Sequence, residues 1–378
     1  MPHQSTSPEK ELSVMKSLSP AVAAVILLAA PLAGIAQNTP HKLQPNERAL
    51  NLPGATTIAA PAAGFDPITA SDEELSYHGF PPRPNQNTEP KAYATWAKAM
   101  QHSKTRIVPT LQQTAVFHGP VKQTKLAKSS VVESSPELAG QASNTAYSSN
   151  WSGYVDFSGA AGYGAKSYYF LVNDYVVPVA EQAFNACTGG WDYGSAWNGI
   201  DGWGSPDVLQ AGIEFDAYCA LGGLIKSTYY SAWYEWYPNA EVRIGGFPIV
   251  PGDDIFVETW HTSATQGYAY LVNYNNNQAV EVGFTAPAGT SLVGNSAEWV
   301  VERPSVGGSL TNLTNYIMDP FWDAYAYTAG YAAFYDINGA TPVDMLDGKG
   351  YVISYPEYEG VESFVMHDAN SAYNAQLP

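Results

Sequence analysis

Apolar and polar side chains alternate over short runs through the carboxyl-terminal two thirds of the chain. The runs cover residues 151–157, 167–177, 208–216, 229–237, 255–262, 267–274, 279–284 and 297–302. Turn-forming clusters of Gly, Pro and Asn separate them, for example at 251–253 and 275–277. Many short strands at this spacing predict an all-β fold, a two-sheet antiparallel β-sandwich or jelly roll. We expect one large domain over residues 147–378.

The alternation also assigns faces to the predicted strands. In the run 208–216 the odd positions are Leu209, Ala211, Ile213 and Phe215, which are all apolar. Successive side chains of a strand point to opposite faces, so these should face the core. The even positions on the other face include Gln210, Glu214 and Asp216.

Two further runs carry carboxylates beside aromatic residues or beside a second carboxylate. Both faces of the run 229–237 are aromatic, so Glu235 lies among rings and is either paired or functional. In the run 297–302, Glu298 shares a face with Glu302. A face that carries Gln210, Glu214, Trp233, Glu235 and Glu298 would form a polar groove with aromatic edges. The alternative is an ordinary solvated sheet face.

The chain before residue 147 has a different character. Residues 37–70 are rich in Pro, Ala, Asn and Thr without a clear period, and we expect them to be loosely ordered. Ser71 followed by three acidic residues predicts the start of a short helix. A second helix is predicted over 93–100, and residues 129–146 are a Ser-rich linker.

The amino terminus has the features of an export signal. Lys16 precedes an apolar run at 21–36 that ends in small residues, which predicts a signal peptide over residues 1–36 cleaved near Ala36. Met15 offers an alternative start, and a buried core helix is the alternative interpretation. We therefore expect a secreted protein, extracellular or periplasmic, without a membrane anchor after signal removal. An oxidising compartment would let Cys187 and Cys219 pair, the alternative being two free thiols.

Charge divides the chain at the same place. The net charge of −18 is the sum of +2 for residues 1–146 (12 basic, 10 acidic) and −20 for residues 147–378 (5 basic, 25 acidic). Such an acidic domain argues against nucleic-acid binding. A basic segment before an acidic exported domain fits a removable pro-segment, residues 37–146, that docks partly by charge. A plain tether or a partner-binding arm is the alternative.

Several kinds of catalytic site are excluded by their motifs. The acidic domain has two histidines, His261 and His367, and no GxSxG elbow; HExxH, Walker and GxGxxG motifs are also missing. Two cysteines cannot supply a four-thiolate zinc site. We therefore expect no metal and no cofactor, and carboxylate and carboxamide chemistry remains. Glu235 and Glu298 could also serve a jelly-roll glycoside hydrolase as acid and nucleophile, or the groove could belong to a non-catalytic lectin-like module.

Four segments in this order identify a family. They are NWSGYV at 150–155, AWNGIDGWGSPDVLQAG at 196–212, SAWYEWYP at 231–238 and NSAEWVVE at 295–302. Together they resemble the eqolisins, the glutamic endopeptidases, over about residues 150–303. The stretches ELSYHGFPPRP and AYATWAKAM resemble the leaders of bacterial members. Three departures concern the subsites and the disulfide pattern. Asn198 replaces a usual Val, Ser231 replaces an acid, and the 201–210 loop is short and lacks a Cys.

The resemblance implies a concanavalin-like two-sheet jelly roll and an acid-active, pepstatin-insensitive endopeptidase. It implies a dyad in which Glu298 is the general base for water and Gln210 orients the water and stabilises the oxyanion. The family's supporting groove residues fall on Trp197, Asp201, Glu214, Trp233, Glu235 and Tyr237. The implied partners are polypeptide substrates and the chain's own pro-segment, and we expect a monomer made as a zymogen.

Overall fold

The amino-terminal part of the chain contains more β-structure than its sequence predicts. The structure is a computed structural model that describes residues 43–120, 145–157, 167–183, 187, 189–328 and 334–369. The elements of the first range are β1 Glu47–Ala49, β2 Ala55–Ile58, α1 Asp72–Tyr77, α2 Pro90–His102, β3 Thr105–Ile107, β4 Thr110–Gln113 and β5 Val116–Phe117. The expectation of a loosely ordered 37–70 is therefore wrong for β1 and β2, which pair with each other.

Both predicted helices are present. Ser71 and Glu74 form a capping box at the start of α1, in which each side chain accepts a hydrogen bond from the other residue's main-chain N–H. Neither helix is long and apolar enough to cross a bilayer, within the residues described. The predicted signal peptide and most of the predicted linker lie outside those residues.

The remaining described chain forms nineteen strands and confirms the all-β prediction. They are β6 Ala146–Ser148, β7 Trp151–Asp156, β8 Tyr168–Val176, β9 Gly190–Asp192, β10 Ser195–Ile200, β11 Val208–Ala220, β12 Ile225–Tyr237, β13 Val242–Gly245, β14 Asp254–Ser263, β15 Gln266–Asn273, β16 Gln278–Thr285, β17 Ala297–Glu302, β18 Ser305–Val306, β19 Ser309–Leu310, β20 Met318–Thr328, β21 Phe334–Asp336, β22 Thr341–Leu346, β23 Val352–Gly360 and β24 Ser363–Asp368. Each of the eight predicted runs coincides with a strand. The strands after Arg303 extend the sandwich beyond the region where the sequence predicts them.

Two antiparallel layers form the sandwich. The first, which we call the cleft sheet, has the order β13-β12-β11-β10-β17-β7-β22. The second, the back sheet, has the order β16-β15-β14-β8-β20. The β23–β24 hairpin joins β22 to β20, so hydrogen bonding continues from one sheet to the other on that side.

The main core lies between the sheets and takes the predicted face of β11. Leu209, Ala211, Ile213 and Phe215 pack there with side chains of the back sheet such as Leu271. Burying one large apolar side chain stabilises the fold by about 1.5–3 kcal/mol. This burial fixes the register, because a shift of one residue would turn the polar face of β11 into the core.

Residues 43–120 cover the sandwich at the side opposite the β23–β24 hairpin. There β2 and β3 pair with β16, the edge of the back sheet, and β4 pairs with β13, the edge of the cleft sheet. Helix α2 packs with Trp96 against the outer face of the back sheet. Both sheet edges are therefore occupied by this segment.

A disulfide ties the end of β11 to the chain before β9. The Cα atoms of Cys187 and Cys219 are 5.6 Å apart. Since β9 pairs with β11 directly beside Cys219, the bond anchors this hairpin end to its neighbouring loop.

Candidate active site

The cleft sheet carries Gln210 and Glu298 on one face with a single glycine between them. Gly199 of β10 lies opposite Gln210 on one side and opposite Glu298 on the other. Directly opposed residues of antiparallel strands share a face, and two strand spacings put the outer Cα atoms about 9–10 Å apart. A Cβ on Gly199 would lie 3.0 Å from Cβ of Gln210. The glycine therefore keeps open the space between the two side chains.

Tryptophans surround this row of polar groups. Trp151, Trp197 and Trp233 form a buried cluster with Val208 and Val300, separate from the main core. The Trp151 and Trp197 rings meet edge to face with centroids 5.0 Å apart. The polar groups on this face are consequently surrounded by apolar side chains, and electrostatic interactions are stronger there than in water.

Glu298 is fully buried and only half satisfied. Its Oε1 accepts a hydrogen bond from the main-chain N–H of Trp203 at 3.2 Å, whereas Oε2 has no partner among the described residues. Burial raises the pKa of Glu298 well above its usual value, and the nearby Asp201 charge raises it further. Glu298 is thus a buried carboxyl group on the cleft face whose surroundings favour the protonated form.

Asp201 holds the chain that leads into β17. It has a positive φ of 71°, and its carboxylate accepts hydrogen bonds from the N–H groups of Val293, Gly294 and Asn295 at 2.7, 2.9 and 2.8 Å. Burial raises the pKa of Asp201 and these three bonds oppose the rise. Both carboxylate oxygens are engaged by the loop, so Asp201 acts by positioning the strand that carries Glu298.

Residues 114–120 of the amino-terminal part lie along this face, and we call them the strap. The strap pairs through β5 with β18, and the N–H of Glu241 donates to the carbonyl of Val116 at 2.9 Å. The Gln210 amide donates to the carbonyl of His118, and the N–H of His118 donates to both carboxylate oxygens of Glu235 at 3.2 and 3.0 Å. Gln210 Oε1 has no partner within the described chain. The strap therefore occupies Gln210, one member of the dyad predicted from the sequence, together with Glu235.

The His118 ring fills a pocket beside the row. It stacks on Trp233 with centroids 3.9 Å apart, and its Nε2 lies 2.7 Å from Glu241. Its Nδ1 lies 3.2 Å from Oγ of Ser195 and 3.5 Å from Glu302. Burial alone would lower the pKa of His118, but the hydrogen bonds to Glu241 and Glu302 outweigh it and hold the pKa well above its usual value.

The other groove residues line the same face. Glu214 forms an ion pair with Arg243 at 2.6 Å; burial and the Glu241 charge raise the pKa of Glu214 to about 7. Trp197 Nε1 donates to Glu302 at 2.9 Å. Tyr237 packs so closely on Gly119 of the strap that a Cβ there would lie 2.3 Å from its ring. The structure thus brings five of the six groove residues named from the sequence to one face of the cleft sheet and places the sixth, Asp201, just past the end of β10.

Sequence reasoning missed the partners that the strap brings in. His118 lies 117 residues before Glu235, and nothing local marks it. The alternation in residues 297–302 puts Glu302 on the same face as Glu298, and this is the one local sign that Glu302 belongs to the site. The side-chain amide of Asn150 donates hydrogen bonds to the Gly119 carbonyl and to the Glu302 carboxylate, both at 2.9 Å. Glu241 lies just before β13, outside every strand predicted from the sequence.

Comparison with known proteins gives the class of the chain, a peptidase, which is an enzyme that hydrolyses peptide bonds. The model of the Peptidase A4 family matches residues 149–367, and the chain belongs to this family. This confirms the eqolisin resemblance and carries it past residue 303, where the sequence motifs end.

The chain is similar to two curated proteins, and two solved structures align with it. The chain is 32% identical over 202 residues to aspergillopepsin-2 of Aspergillus niger, covering 50% of this chain and 67% of that protein. It is 30% identical over 177 residues to scytalidopepsin B of Scytalidium lignicola, covering 47% and 60%. A scytalido-glutamic peptidase structure with a transition state analog inhibitor aligns with a TM-score of 0.48 and 24% identity, covering 58% and 98%. Aspergilloglutamic peptidase from A. niger aligns with a TM-score of 0.42 and 30% identity, covering 47% and 99%.

Proposed function

We propose that the chain is a secreted, acid-active glutamic endopeptidase in which Glu298 and Gln210 form the catalytic dyad. What supports the proposal above all is that the Gln210 amide binds a main-chain carbonyl, that of His118, across a glycine floor from Glu298. A substrate carbonyl bound in the same way would lie between a hydrogen-bond donor and a carboxylate.

The proposed reaction uses only these two side chains and water. The Glu298 carboxylate takes a proton from water while the water oxygen attacks the carbonyl carbon, and the Gln210 N–H stabilises the negative charge on the carbonyl oxygen. Glu298 then gives the proton to the leaving nitrogen as the C–N bond breaks, which yields an acid, an amine and the original carboxylate. A positioned acid/base contributes about 10²–10⁴ in rate and one oxyanion donor about 10²–10³.

The two members of the proposed dyad respond differently to pH. Glutamine does not titrate, so Gln210 keeps its donor at any pH. Burial is the largest cause of the raised pKa of Glu298. The mechanism needs the ionised form of Glu298, and we propose that removal of the strap admits water to the cleft and favours that form.

We assign residues 37–146 to an inhibitory pro-segment that is removed after export. The strap supports this assignment, because it occupies Gln210 and Glu235 and therefore competes with any substrate. Lys98 of α2 adds contacts to Asp174 and Asp254 at 3.2 and 3.4 Å. Mass spectrometry of the exported protein before and after acid incubation tests both the signal cleavage near Ala36 and the loss of this segment. An active exported protein that retains residues 37–146 would contradict the assignment.

The glycosidase alternative fits the geometry less well. Glu235 and Glu298 are separated in the register by Gln210 and Gly199, so three strand spacings put their Cα atoms about 14 Å apart. Carboxyl groups of glycosidases lie about 5–9.5 Å apart.

The test is cleavage of a denatured protein at acid pH with pepstatin present. We expect the wild type to cleave and Glu298→Gln to be inactive while folded. Glu258→Gln is the matched control, because Glu258 is also buried but belongs to β14 of the back sheet. Gln210→Ala should lose about 10²–10³ in kcat. An active Glu298→Gln enzyme, or pepstatin-sensitive cleavage, would overturn the proposed dyad.

A further inference from the structure

The strap binds the cleft as a substrate main chain would. At one residue, His118, the N–H is held by Glu235 and the carbonyl by Gln210. The next carbonyl, of Gly119, accepts a hydrogen bond from Asn150 at 2.9 Å. The side chain of His118 therefore occupies the pocket that would receive the side chain of the substrate residue whose carbonyl Gln210 binds.

This pocket, the His118 pocket, is built for a flat side chain. The Trp233 indole forms one wall and lies only 7° from parallel to the His118 ring, with centroids 3.9 Å apart. At the ring edge, Glu241 faces Nε2 at 2.7 Å and Ser195 faces Nδ1 at 3.2 Å. A ring with donors at both edges satisfies these acceptors, which a hydrocarbon ring cannot do.

The pocket is also built for positive charge. Glu241 and Glu302 at its end are both fully buried. Glu302 is fixed by hydrogen bonds from Trp197 and Asn150 at 2.9 Å each, and Glu241 lies 3.3 Å from Arg243. Arg243 also pairs with Glu214. The buried carboxylates around the His118 ring are therefore more numerous than the one arginine can neutralise. Buried carboxylates without enough cations are costly, and a charged imidazolium supplies the missing positive charge.

We propose that the His118 pocket is a specificity pocket, which makes the enzyme prefer substrates with a cationic imidazole on the acyl side of the cleaved bond. The inference rests on the proposed endopeptidase function and adds the substrate class to it. Glu241 is the residue that would set the preference, because it makes the shortest contact to the ring. An apolar side chain of the same size would leave Glu241 and Ser195 without donors, and a neutral polar one would leave Glu241 without a matching positive charge; both are costly in a buried site.

The first test compares peptides that differ only at this position, with His, Gln, Phe or Lys, at the pH where the chain is most active. We expect kcat/KM to be about 10- to 100-fold higher for His than for Gln, the worth of a hydrogen bond to a charged group. Glu241→Gln should remove most of this ratio, whereas Glu258→Gln in the back sheet should keep it. Equal or better cleavage of the Gln or Phe peptide by the wild type, or an unchanged ratio in Glu241→Gln, would overturn the inference.

A second test needs no catalysis. In full-length His118→Gly the ring is missing, and added imidazole should bind in its place and change the fluorescence of Trp233, while pyrazole, a neutral ring of the same size, should bind at least tenfold more weakly. Adding Glu241→Gln should remove the difference. Equal binding of the two rings would overturn the pocket's charge preference. If imidazole binds but no peptide is cleaved by any form, the proposed function fails and the pocket stands.

Discussion

Replacing Asp201 tests whether the site depends on the hydrogen bonds from this one buried carboxylate to the chain before β17. The Asp201 carboxylate accepts three main-chain hydrogen bonds of 2.7–2.9 Å just before β17, and Asp201→Ala would leave all three N–H groups without this acceptor. Each buried donor left unpaired costs about 1–3 kcal/mol, so the sum is about 3–9 kcal/mol. Alanine at a φ of 71° adds roughly 1–2 kcal/mol. We expect a loss of at least about 3 kcal/mol in the free energy of unfolding.

Asp201→Asn is the graded control. Asparagine tolerates the left-handed conformation and keeps one acceptor oxygen, so it should cost less than alanine. Urea unfolding with an unchanged m value measures both losses. Peptide hydrolysis should show a fall in kcat with a smaller change in KM, since the base on β17 moves while the rest of the cleft stays. A loss below about 1 kcal/mol for Asp201→Ala, or equal losses for both variants, would refute the reasoning.

Three more outcomes follow from the structure. Gly199→Ala should lower kcat at least tenfold by filling the floor beside Gln210, while Gly348→Ala, where a Cβ meets nothing within 4 Å, should be neutral; equal activities would contradict this. The melting temperature should fall between about pH 4 and pH 7. Burial raises the pKa of Glu281 to about 7 and that of Asp207 to about 6, above their unfolded values of about 4, so the stabilisation present below pH 4 is lost as pH rises through this window. A melting temperature that rises toward neutral pH would be the opposite result. Cys219→Ser removes the disulfide, which links residues 32 positions apart, and should lower the free energy of unfolding by about 2–4 kcal/mol. An unchanged denaturant midpoint would contradict this prediction.

The sequence predicts the sandwich and the two faces of β11 because strand alternation is a local signal. Leu209 and Gln210 are neighbours in the chain, and the period of two is enough to send one to the core and the other to the cleft. The short strands β10 and β13 were missed, since Gly199 and Gly245 interrupt the pattern that longer strands show.

The strap could not be predicted in the same way. Contacts between His118 and Glu235, Glu241 or Glu302 join residues more than a hundred positions apart, and a lone histidine near a glycine carries no local sign of its destination. The expected charge attraction between the two parts of the chain does not specify where the segment packs. The positive φ of Asp201 is likewise a product of its distant partners at 293–295.

Residues 43–120 pair with one edge of each sheet, so their proposed removal would expose both edges. Where β2 and β3 leave β16, and β4 leaves β13, two rows of unpaired main-chain groups would face the medium and offer a template for pairing between molecules. The −20 charge of residues 147–378 keeps such molecules apart at neutral pH, but acid removes much of that repulsion. If the proposed pro-segment is removed, the remaining domain should therefore aggregate more readily at acid pH than at neutral pH.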